Sequence, residues 1–100
     1  MMMKNKIVNI AIQILPFSTT LKAYDVVDKA IEVIAQSGVK YRVTPFETVM
    51  EGPYDELMKI VADVQSVCYK AGVDSVLCNM KIQSNREGRV SIEDKTGKYE

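Results

Sequence analysis

One hundred residues, with 13 basic and 13 acidic side chains, two cysteines and no histidine, leave room for one domain with no net field to draw in nucleic acid or an anionic membrane. The missing histidine removes the commonest general base and metal ligand, so no catalytic or metal residue is expected. Cys68 and Cys78 are outside CxxC spacing and read as reduced, buried small hydrophobes. The opening Met1-Met2-Met3-Lys4-Asn5-Lys6 leads into no signal-peptide pattern, no run of about 18 apolar residues follows, and the expected location is cytoplasmic.

Residues 1–6 are expected to be a flexible N-terminus. Ile7 to Leu15 is then rich in β-branched residues and stops at Pro16. Val8, Ile10, Ile12 and Ile14 alternate with Asn9, Ala11 and Gln13, which predicts a strand with one buried face. A helix is predicted between Lys22 and Ser37, with Val27, Ala30, Ile31 and Ile34 as its apolar stripe, Thr19 or Thr20 as its cap and Gly38 just past its end. Val39 to Val43 predicts a second strand. After a turn at Pro45-Phe46-Glu47, Thr48 to Glu51 predicts a third.

Gly52-Pro53 is expected to open the second helix, because proline suits the first helical turn, and Asp55 and Glu56 favour the dipole there. Leu57, Ile60, Val61, Val64, Val67, Cys68 and Ala71 form its core stripe, and Gly72 ends it. Val73 to Ile82 predicts a fourth strand with Val76, Cys78, Met80 and Ile82 inward. Ser84 to Arg89 reads as a loop. Val90-Ser91-Ile92 reads as a short edge strand or an oligomer contact in a C-terminal extension, 84–100, whose last residues fray.

The order β-α-β-β-α-β, with Ser37-Gly38-Val39 and Ala71-Gly72-Val73 at matching helix-to-strand junctions, reads as two interlocked split βαβ units. The expected fold class is α+β: a ferredoxin-like sandwich over 7–83, with a four-stranded antiparallel sheet in order 4-1-3-2 and two helices on one face. A different strand order with the same elements is the alternative.

Both helices on one side leave the other side of the sheet uncovered. Its expected residues are Asn9, Ala11, Gln13 and Leu15, then Arg42 and Thr44, then Thr48 and Met50, and finally Leu77, Asn79 and Lys81. Two such semi-polar faces can come together and leave a polar crevice between chains. Amide, hydroxyl and carboxylate groups suit a ring that carries both donors and acceptors, such as an aminopyrimidine. Equally, these polar groups can simply bond across the sheet or an interface. A pairing of Lys81 with Glu51 is expected as a salt bridge rather than acid–base machinery. The outward positions hold no aromatic platform for RNA.

The pieces Val8 to Pro16, Ser37 to Tyr41, Thr48-Val49-Met50-Glu51-Gly52, Ala71-Gly72-Val73 and Asn79 to Ile82 occur in an order and spacing that resembles the small thiamine-binding-protein family of ferredoxin-like fold, in its single-domain, YkoF-like form. The resemblance covers about residues 7 to 83; the loop Phe17-Ser18-Thr19-Thr20 lacks the glycine expected there. It implies a homodimer or homotetramer built through the sheets, with thiamine or its hydroxymethylpyrimidine moiety bound without catalysis. Carried over by position, the ligand residues are Gln13, Thr48, Glu51 and Asn79, with Phe17, Phe46 and Met50 as ring walls. Glu51, beside Gly52-Pro53, has a second expected role at the helix start. The competing function is a structural or regulatory oligomer with no small ligand; a small enzyme is a third.

Overall fold

Alternation of side chains sets the strands, and the wide apolar stripes of two helices close over one face of them. The computed structural model describes residues 3–92. In chain order the elements are β1 (Ile7–Phe17), α1 (Ala23–Gln36), β2 (Lys40–Val43), β3 (Thr48–Pro53), α2 (Tyr54–Ala71) and β4 (Ser75–Gln83). The sheet runs β2-β3-β1-β4, every pair antiparallel. That is the expected 4-1-3-2 order read from the opposite edge, and the arrangement is the ferredoxin-like sandwich.

The core lies between the sheet and the helices. Val8, Ile10 and Ile12 of β1 meet Val26, Ala30 and Ile34 of α1 and Leu57, Ile60, Val61, Val64 and Cys68 of α2. Burial of this kind contributes roughly 1.5–3 kcal/mol for each large aliphatic side chain. The α2 stripe is the expected one. On α1 the buried centre is Val26, not Val27. Val27 and Ile31 sit at the margin of the stripe, lining a cleft towards the β2–β3 hairpin. The apolar arc of α1 is wide, and its centre depends on how the helix is rolled against the sheet, which helical spacing leaves free.

Gly38 and Gly72 both adopt positive φ, 86° and 106°, at the two equivalent helix-to-strand junctions. A Cβ at Gly72 would meet only Leu21 Cδ1 at 3.7 Å, so the backbone conformation rather than space is what calls for glycine.

Two local expectations are corrected. The first helix has Lys22 at its N-cap with no side-chain cap. The hydroxyl that organises its approach is Ser18, whose Oγ accepts from the N–H groups of Thr20 and Leu21 at 3.1 and 3.0 Å, so neither Thr19 nor Thr20 is the cap. Pro53 is the last residue of β3 and the N-cap of α2, one position before the helix. The chain start lies against the beginning of α2. Lys6 O accepts from Tyr54 N–H at 2.9 Å and Lys4 O from Asp55 N–H at 3.3 Å, so these carbonyls satisfy donors that a helix N-terminus leaves open.

Candidate functional site

The register turns the open face into a grid. Its first row is Lys40, Glu51, Asn9 and Gln83; its second is Arg42, Val49, Ala11 and Lys81. In the third row Gln13 pairs with Asn79, and the β1–β3 register carried one step further brings Glu47 alongside Gln13. Leu15 with Leu77 and Phe17 with Ser75 complete the face.

This grid overturns part of the expected site. Thr48 pairs with Ile12 and Met50 with Ile10, which puts both on the helix side. Met50 is 0% exposed in the core and Thr48 5% exposed, so Met50 is no ring wall and Thr48 does not face the open side. Side chains alternate along a strand, so Glu51 and Met50 cannot share a face. The charge on Glu51 was the signal that could have set the phase, because the helix side offers it no partner.

Gln13 and Asn79 do meet. Asn79 Nδ2 donates to Gln13 Oε1 at 3.2 Å, which leaves Gln13 Nε2 and Asn79 Oδ1 without a side-chain partner among the described residues. One donor and one acceptor therefore stand side by side, and exchanging O and N in both amides leaves the same complement. Around them is a cavity of about 560 Å³ lined by Gln13, Phe46, Glu47, Asn79, Met80 and Lys81, within the range of small-molecule sites. Glu47, missed from the sequence because it reads as a turn residue, forms an ion pair with Lys81 at 3.5 Å. Lys81 thus pairs with Glu47 and not with Glu51 as expected.

The hairpin that carries Glu47 is tightened by Thr44. Its Oγ1 donates to Glu47 O at 2.6 Å and accepts from Glu47 N–H at 3.1 Å. At its tip Phe46 is 80% exposed, with its ring at the edge of the cavity. Phe17, half exposed at the far end of β1, does not border this cavity.

Glu51 has a different job from either one expected. Its Oε1 accepts from Ile92 N–H at 2.6 Å, drawing the chain after β4 across the first row of the grid. Arg89 bridges to Ile7 in parallel, Val90 N–H donates to Ile7 O at 3.1 Å, and Val90 and Ile92 are buried. Asn9 beneath them is only 4% exposed. Val90 and Ile92 are accordingly buried within this chain and belong to none of the four strands of the sheet; the fraying expected of the last residues falls outside the described ones. Cys68 and Cys78 are free thiols on the helix side. Burial, and for Cys68 also the neighbouring Cys78, raises both above the ordinary thiol value. Among the described residues no group of acidic, histidine or cysteine side chains could hold a metal ion, and no helix is long and apolar enough to cross a membrane.

The family model for thiamine-binding proteins matches residues 10–100. The chain belongs to the thiamine-binding protein family. Among curated relatives, a UPF0045 protein of Clostridium perfringens is 43% identical over 91 residues, covering 91% of this chain and 95% of the relative. One from Methanothermobacter thermautotrophicus is 32% identical over 79 residues, 78% of each. Of solved family-like structures, a Bacillus cereus domain of unknown function, DUF77, superposes with a TM-score of 0.92 at 37% identity, covering 100% of this chain and 96% of its own. A Thermotoga maritima protein whose suggested role is thiamine biosynthesis or salvage superposes at 0.84 with 29% identity, covering 94% and 99%.

Proposed function

We propose that this thiamine-binding-family protein binds thiamine, or its hydroxymethylpyrimidine moiety, without catalysis, on the open sheet face and as a cytoplasmic homodimer or homotetramer. The observation that carries the reading is the Gln13–Asn79 pair, which presents one donor and one acceptor to a cavity of suitable size. An aminopyrimidine offers the complement, a ring nitrogen that accepts and an exocyclic amine that donates. Glu47 beside the pair supplies a carboxylate to offset a thiazolium cation, and Phe46 a ring face for stacking or cation–π contact. Oligomerisation is supported by Leu77 and Phe17, large apolar side chains about half exposed at one end of the open face.

Thermal-shift titration tests the reading, because a ligand that binds only the folded chain raises its midpoint. Thiamine and hydroxymethylpyrimidine are each expected to raise it, and Gln13→Ala or Asn79→Ala to weaken binding by about tenfold, the loss of roughly one hydrogen bond. No shift at millimolar ligand would remove the reading and leave the structural or regulatory oligomer. Sedimentation checks the assembly: a monomer at micromolar concentration contradicts the sheet-to-sheet interface.

A further inference from the structure

Strand β1 outruns its partner on one side. Its pairing with β3 stops at Ile12 and Thr48, whereas its pairing with β4 continues to Phe17. In an antiparallel sheet the backbone groups of successive residues turn to opposite neighbours. Lys6 O accepts from Tyr54 N–H on the β3 side; Ile7 N–H donates to Gly88 O, and Ile7 O accepts from Val90 N–H, on the other. Phe17 O accepts from Asp74 N–H on the β4 side, so the odd phase holds to the far end. Even-numbered residues therefore address β3, and Ile14 is the first of them with no strand opposite. Among the described residues its N–H and C=O have no partner.

That bare edge opens on the cleft between α1 and the β2–β3 turn, about 260 Å³ in volume. Val27 and Ile31 of α1 and Val43 of β2 give the cleft apolar walls, and Tyr24, 85% exposed, stands with Phe46 at its rim. Thr48, only 5% exposed, lines it too. No described residue bonds the Thr48 hydroxyl, and no polar side-chain atom among the described residues is orphaned in the interior, so this hydroxyl opens on the cleft. Glu47, the one charged residue on the lining among those described, is engaged with Lys81. A strand from another chain does not suit this edge. Pro16, the next even residue, has no N–H to offer, and the turn at Pro45 and Phe46 closes the other end. The gap is one residue long.

We propose that this cleft is a second binding site, for one uncharged planar ring that carries a donor beside an acceptor, the lactam or amino-azine edge of a nucleobase-like heterocycle. The site goes beyond the thiamine reading and does not depend on it. The N–H and C=O of one extended residue point the same way, and a residue of a neighbouring strand normally meets both at once. A ring edge with adjacent donor and acceptor takes the place of that residue at Ile14. The Thr48 hydroxyl meets a further polar atom of the ring, and the aliphatic walls cover its faces. The volume suits a single ring, since sites for larger ligands start at about 300 Å³. With Glu47 tied to Lys81, the lining holds nothing to balance a charge on the ligand.

Amide NMR on the whole chain tests it, with uracil as the probe and dimethyluracil, both ring nitrogens methylated and no donor left, as its control. Without ligand, the Ile14 amide is expected to exchange at least about tenfold faster than those of Ile10 and Ile12, which the ladder holds. Protection equal to that of Ile12 would mean a closed edge and overturn the proposal. Uracil at millimolar concentration should shift the Ile14 amide saturably, and dimethyluracil should bind at least about tenfold more weakly. Equal affinities, or no saturable shift at Ile14, would overturn the site. Thr48→Val, which keeps the shape, should weaken uracil about fivefold, and Ile31→Trp, which fills the cleft, should abolish its binding; a thermal midpoint shows that each variant is folded. Undiminished binding in both would place the probe elsewhere. Asn79→Ala, outside the cleft, should weaken thiamine and leave uracil unchanged; loss of both would put uracil in the Gln13–Asn79 cavity and remove the second site.

Discussion

On one side of the sheet Val8, Ile10, Ile12 and Met50 are sealed under two helices; on the other, one residue out of phase on the same strands, stand Asn9, Ala11, Gln13, Val49 and Glu51. The sealed side is apolar but for Thr48. The open side is mixed: small apolar residues in the middle, amides and charges around them, and the chain's own residues 90–92 drawn over one end. The contrast separates two kinds of constraint. Shape and volume govern the helix side, where any polar group must find a partner. Chemistry governs the open side, where polar groups survive because they pair with each other, with the C-terminal segment or with something from outside.

Substitutions in adjacent positions of β3 give the widest separation between the faces. Met50→Ala empties a fully buried site and should cost about 2–5 kcal/mol, whereas Val49→Ala, on the open face, should cost under about 1.5 kcal/mol. Chemical denaturation measures both, and equal losses would mean that β3 has been assigned the wrong phase. Glu51→Ala removes the acceptor of the Ile92 N–H and is expected to cost about 1.5–3 kcal/mol, the range for a hydrogen bond to a charged group. Hydrogen exchange at the Ile92 amide should accelerate in step; unchanged protection there would show that the cover over Asn9 does not depend on this bond.

A smaller effect comes from pH. Cys68 has its thiol pushed up by burial and then by Cys78. Below the ordinary thiol value both folded and unfolded chains keep the proton. Above it the unfolded chain ionises first, so stability falls as pH rises towards the folded value. Denaturation midpoints at pH 7 and above pH 9 should show this decline, and Cys68→Ala should flatten it even though it lowers stability at both pH values. The smallest change in stability is expected for Gln13→Ala, within about 0.5 kcal/mol, since its side chain lies on the open face. A large loss of stability would make the Gln13–Asn79 pair a structural feature of the sheet instead of a ligand contact.

The elements with one-sided patterns were legible from composition and spacing. In β1 the even positions are all aliphatic, and in α2 a single stripe runs from Leu57 to Ala71, so each announces its buried face. β3 does not. In Thr48-Val49-Met50-Glu51 each alternating set contains one apolar and one polar residue, so period two is silent, and only the impossibility of sealing Glu51 under the helices would have chosen. α1 carries Val26 and Val27 side by side, and the roll of the helix decided between them. Glu47 escaped notice because it sits at the end of a turn, and the burial of Asn9 because its cover lies some 80 residues away in the chain, at Val90 and Ile92.

By itself, then, the sequence determined which segments are strands and helices, their order, and the bulk of the core, because periodicity and glycine conformations are local and each residue carries its own share of them. The tertiary structure decided which side chains meet. Gln13 and Asn79 are 66 residues apart, Glu47 from the β2–β3 turn meets Lys81 of β4, and Glu51 closes on the Ile92 backbone. Those meetings follow from strand register, which is set by how the two helices fill the core over the whole sheet and moves every side chain to the other face if it slips by one residue.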